Sequence, residues 1–98
     1  MSDAAVPVTW NDVSGRVGTS FEVSDGTGAA IALVLSRAEP LPDSGRSGGS
    51  FRLEFTGPAV SPLDQGTYSV RGADVDWAIF IVPVAVSAEV RTYDAIFL

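Results

Sequence analysis

The sequence predicts an all-β fold: a small antiparallel six-stranded barrel or sandwich with a short N-terminal helical turn. Three observations predict it. Apolar and polar residues alternate at period two in stretches such as SFRLEFT, residues 50–56. Gly-containing turn signals separate those stretches, Asp-Gly at 25–26 and Gly-Ala-Asp at 72–74. The 98 residues suffice for one hydrophobic core and not for two, so 1–98 reads as a single β domain.

The first element reads as a helical turn. In 8–15, VTWNDVSG, Thr9 can cap a short helical turn, and Trp10 and Val13 stand three apart on one side of it. This segment is expected to plug an open end of the β structure, with a first strand as the alternative. Residues 17–24 alternate, with Val17, Thr19, Phe21 and Val23 on one face, and read as the first strand. The hairpin signal DGTG (25–28) leads into a strand over 29–38. Its Ile31, Leu33 and Leu35 face a core, and small residues lie on the other side.

Residues 39–50, EPLPDSGRSGGS, read as a long loop, because Pro and Gly prevent regular structure there. The strand over 50–56 then points Phe51, Leu53 and Phe55 inward and Arg52, Glu54 and Thr56 outward. A connection (57–66) and a short strand (67–71, Tyr68 and Val70 inward) follow. A turn at 72–74 leads to a long apolar strand over 75–86. After SAEV, a last strand over 91–98 places Tyr93, Ala95 and Phe97 on one face.

Composition narrows function. The net charge is −6 and every basic residue is Arg. Such a chain is repelled by phosphate backbones and by anionic membranes, which argues against nucleic acid or a membrane surface as partner. There is no Cys and no His. The usual general base, the usual transition-metal ligand and thiolate chemistry are therefore missing together. No catalytic residue, cofactor or metal is expected. The amino terminus carries no basic region followed by an apolar one, so no signal peptide is read. The expected location is the cytoplasm or an assembled particle.

The local candidates for chemistry are weak. Asp43-Ser44-Gly45 has the residue order of an aspartic protease signature, yet it sits in the loop richest in Gly and Pro instead of on a rigid turn. Asp74 and Asp76 are two carboxylates where calcium wants six to eight oxygens. Gly26-Thr27-Gly28 is explained by a hairpin turn, with no Lys in the chain to reach a phosphate. Glu22 and Glu54 stand on polar strand faces with no cleft predicted between them.

The informative stretch is WAIFIVPVAV, 77–86. It is half the length of a membrane span and contains Pro83. As a strand it is apolar on both faces: Trp77, Ile79 and Ile81 on one, Ala78, Phe80, Val82 and Val84 on the other. A barrel has room for one of those faces only. The carboxyl end repeats the pattern, with Ile96 and Leu98 left outside when Tyr93 and Phe97 go in. Phe80, Val82, Val84, Ile96 and Leu98 are therefore the expected contact residues for a protein partner or a homo-oligomer. Pro83 marks an edge strand or a bulge. The alternative reading is a barrel that binds an apolar ligand in a cavity lined by Phe21, Phe51, Phe55, Tyr68, Trp77 and Tyr93.

FRLEFTGP (51–58), LDQGTYSV (63–70), IFIVPVAV and TYDAIF (92–97) together resemble a family of short bacterial proteins classed as a domain of unknown function. Its pattern is Phe-x-Leu-x-Phe-x-Gly-Pro, Leu-x-Gln-Gly-x-Tyr, Phe-x-x-Pro-Val and Tyr-x-Ala-x-Phe. The similarity runs over most of the chain from Phe21 on. It departs at 71–77, where the family pattern has a His and a Gly-containing turn, and in the Gly/Ser loop. The resemblance implies a setting like that of accessory proteins of phage-tail-like or collar-domain fibres. It implies no catalytic residue, only Gly57 and Gly66 for turns, Pro58 and Pro83 for stops, and aromatics for a core.

Overall fold

A computed structural model of the chain describes residues 8–24, 30–42, 45, 48–59 and 63–98. The elements are a helix α1 (Trp10–Ser14) and six strands: β1 (Ser20–Ser24), β2 (Ala30–Pro40), β3 (Phe51–Pro58), β4 (Gly66–Arg71), β5 (Asp76–Val86) and β6 (Val90–Phe97). The strands close into a barrel in the order β1-β2-β3-β6-β5-β4. Every neighbouring pair is antiparallel. The run β4-β1-β2-β3 is a Greek key: three strands follow one another in space, and the fourth returns to lie beside the first. Closure comes from the pair β1–β4 (Val23↔Val70) and the pair β3–β6 (Leu53↔Ala95).

Alternation in the sequence becomes the inner and outer faces of the wall. Phe21, Leu33, Leu35, Phe51, Leu53, Phe55, Val70, Ile79, Ile81, Tyr93 and Ala95 are buried inside the barrel. At about 1.5–3 kcal/mol for each large side chain removed from water, this face accounts for the existence of the fold. The helical turn is the plug that the sequence predicts. Thr9 caps it in a reciprocal box: the Asp12 amide donates to Thr9 Oγ1 (3.2 Å) and the Thr9 amide donates to Asp12 Oδ2 (2.9 Å). Val13 is fully buried, and Trp10 lies against the Phe51 ring at 6.0 Å. Arg16, just after the helix, pairs with Asp74 in the β4–β5 turn (2.8 Å) and stands over the Trp77 ring (5.8 Å).

Several boundaries differ from the sequence expectation, four of them for reasons the structure shows. The first strand begins at Ser20, because Gly18 takes a left-handed φ of +92° and turns the chain; Val17 is exposed and Thr19 lies outside the sheet. β2 continues through Pro40. Ser36 is the extra residue of a bulge between Leu35 and Arg37, and its hydroxyl donates to the Glu54 carbonyl at 3.0 Å. The bulge reverses the alternation, so Ala38 packs toward the core where period two would turn it out. β3 runs on through Gly57 and Pro58, so Gly57 serves no turn. A Cβ there would strike the Leu33 side chain, and glycine is what lets β2 and β3 pack at that point. Gly66 likewise opens β4. The hairpin signal at 25–28 lies outside the described residues.

Candidate interaction surface

β5 has a saturated inner face. Trp77, Ile79 and Ile81 are 8%, 1% and 0% exposed. Its outer face looks away from the barrel, and on it Phe80 is 52% and Val84 51% exposed, with Val82 half-buried. Ile96 on β6 is 58% exposed. Phe80, Val82, Val84 and Ile96 meet with Asp94 around one groove of about 320 Å³. Four of the five residues expected from the sequence are thus brought together. The fifth, Leu98, lies past the end of β6, is highly exposed, and does not line the groove. Asp94 is the groove's one charged group, and Arg52 holds it from the neighbouring strand (3.3 Å) while also pairing with Glu39 (3.3 Å). The groove floor is therefore apolar and its charge is already compensated.

Beyond the groove β5 outruns β4, while β6 stays paired with β3 as far as Pro58↔Val90. The last β4–β5 pair is Gly66↔Ile81, so Val82–Val86 pairs only with β6. Pro83 and a bulge at Val84 fall in this open stretch, which unites the two roles expected of Pro83. Both devices blunt a sheet edge against strand addition. What the hairpin offers a partner is its side-chain surface. The sequence reading omitted part of that surface: Val86 is 62% and Val90 43% exposed, and Arg91 joins Pro83, Val84, Ala85 and Val86 around a second groove of about 280 Å³. Val84 lines both grooves because the bulge places it between them. The end of a long apolar run was a usable signal for Val86; nothing local in the sequence distinguishes Arg91.

The other candidates take structural places. Asp74 is held by Arg16, and Asp76 by Arg71 (3.6 Å) and the Ser69 hydroxyl (3.0 Å). Glu22 pairs with Arg71 (3.5 Å) in a depression over β1 and β2, and Glu54 accepts from Ser36 (2.9 Å). β2 lies between their two strands. Among the described residues no group of three His, Cys, Asp or Glu side chains is placed to hold a metal; Asp43 and Ser44 lie outside the described residues, as do 25–28. The six aromatic residues of the ligand-cavity reading are all buried. Phe21 packs on Phe55 (6.2 Å) and on Trp77 (5.6 Å), so these rings stand against one another. Among the described residues no helix is long and apolar enough to cross a membrane.

A protein-family model described as Domain of unknown function (DUF6916) matches residues 8–97. The chain belongs to this family. The DUF6916 match begins at Val8, just before the cap of α1, and takes in the plug and all six strands. No curated protein and no solved structure matches the chain.

Proposed function

We propose that this DUF6916 domain is a non-enzymatic interaction module whose β5–β6 outer face meets another protein surface and self-associates or docks onto a larger assembly. One observation carries the reading. Phe80, Val82, Val84 and Ile96 form a contiguous apolar groove on strands whose inner faces already fill the core. The monomer has no further use for them. Large apolar side chains gathered on an outer wall are how association sites are built, each contributing about 1.5–3 kcal/mol when covered. The fibre-like or phage-tail-like setting implied by the sequence resemblance is one such assembly, and a small closed barrel with one apolar flank suits a repeated accessory role.

The test is the solution mass by light scattering over a wide concentration range, for the wild-type chain and for Phe80→Asp. A defined oligomer that Phe80→Asp converts to monomers with an unchanged β-sheet circular dichroism spectrum is expected. A Phe80→Asp chain that is unfolded would place the ring in the core and remove the reading. An oligomer indifferent to Phe80→Asp would move the contact elsewhere.

A further inference from the structure

Arg16, Arg37, Arg52 and Arg71 each pair with a carboxylate. The guanidinium of Arg91 makes no ion pair and no hydrogen bond among the described residues. The strand register shows where it stands. Across the β5–β6 ladder Tyr93 faces Pro83 and Arg91 faces Val86, with a bulge at Val84 between them. Tyr93 is buried in the core. Arg91, two residues before it on β6, shares its inner side, away from the Phe80 groove. β4 ends at Gly66↔Ile81 and does not reach this corner. The rim of the barrel is therefore open there, and Pro83, Val84, Ala85, Val86 and Arg91 border a groove of about 280 Å³.

The Arg91 side of this groove is built for an anion. Arg91 is half-buried, and its Nε is covered by the chain itself without a partner. That leaves the Nη end to the groove. Two Nη–H donors match the two oxygens of a carboxylate. A cation partly stripped of water beside an apolar wall attracts an anion more strongly than one in open solvent. The rest of the groove is apolar and suits a short carbon chain. An extended peptide gains little here, because Pro83 has no amide hydrogen and the bulge breaks the spacing of the β5 edge. A second copy fits no better, since two chains of net charge −6 repel.

Beyond the interaction-module reading and independently of it, we infer that this rim groove binds a small organic acid. The carboxylate is held by the two Nη nitrogens of Arg91, and a short aliphatic chain lies along Pro83, Ala85 and Val86.

The test is a titration of the isotope-labelled chain with hexanoate, hexanamide and hexylamine, followed by the NMR signals of the Val84 and Val86 amides and the Arg91 side chain. Hexanoate is expected to bind with a dissociation constant of about 1 mM, hexanamide about tenfold more weakly, and hexylamine not at all. Arg91→Gln should weaken hexanoate about tenfold. Arg91→Lys, which keeps the charge but not the paired donors, should fall between. Phe80→Asp should leave hexanoate binding unchanged, so failure of the interaction-module reading does not carry this one with it. The site is overturned by the absence of a saturable shift, by hexanamide binding as tightly as hexanoate, by shifts centred on the Phe80 groove, or by hexanoate binding that Arg91→Gln leaves intact. If Arg91→Gln does not fold, the comparison of hexanoate with hexanamide on the wild-type chain decides. Acetyl-Val-Glu-Val-amide binding more tightly than hexanoate would overturn a free acid as the occupant and give the groove to an acidic side chain of a protein.

Discussion

β3 and β5 flank β6 on either side and solve the same inner problem in the same way. Phe51, Leu53 and Phe55 on one, and Trp77, Ile79 and Ile81 on the other, are buried in the barrel. Their outer faces diverge. β3 presents Arg52, Glu54 and Thr56, with Arg52 tied into ion pairs and Glu54 hydrogen-bonded to Ser36. β5 presents Ala78, Phe80 and Val82. A barrel wall needs only its inner face to be apolar, and β3 shows what an outer face looks like when water is its neighbour. β5 departs from that pattern, and the proposed association rests on its outer face, not on its inner one.

The comparison breaks most visibly at the β3 core. Phe55 is fully buried and packs edge-on against Phe21. Phe55→Ala is expected to cost about 3–5 kcal/mol in urea unfolding, from lost burial plus the cavity left behind. A cost below 1 kcal/mol would mean that the interior is loosely filled, and would favour the apolar-ligand reading. A smaller effect is expected where β3 meets β2. Gly57→Ala adds a methyl that collides with Leu33, and overpacking of this kind costs about 1–3 kcal/mol. The same change at Gly15, where nothing stands within 4 Å of an added Cβ, is the matched control and should be close to neutral.

Much of this architecture was legible in the sequence, and the failures have physical causes. Six strands, the helical plug and the inward set Phe51, Leu53, Phe55, Tyr68 and Val70 follow from period-two alternation and one capping residue. Alternation does not reveal a bulge, so the reversal at Ser36 that turns Ala38 inward was invisible. Nor does it announce that Gly57 continues a strand, because the reason lies on Leu33 in another strand. Barrel and sandwich remained open because closure depends on β1–β4 and β3–β6 pairs far apart in sequence. The apolar outer face of 77–86 was readable, but parity alone could not decide between a cover within the chain and exposure. The exposure of Val86 escaped for a related reason, because it depends on where β4 stops beside β5.

The smallest expected effect is the sharpest test of the comparison. If the outer face of β5 contributes little to the fold, Phe80→Ser in the dilute chain should lower unfolding free energy by about 1 kcal/mol or less, since half of the ring is already in water. The outcome should change with concentration. Association that binds only the folded chain adds stability by mass action, so wild-type stability should rise as the protein is concentrated. Phe80→Ser should hold nearly constant over the same range. Arg52→Ser, on the matching outer face of β3, should show the reverse signature: a modest loss that is the same at every concentration, because its partners Glu39 and Asp94 lie within the monomer. Equal behaviour of the two variants would mean that the outer faces of β3 and β5 differ in composition but not in role. A concentration dependence confined to Phe80→Ser would assign the difference to association.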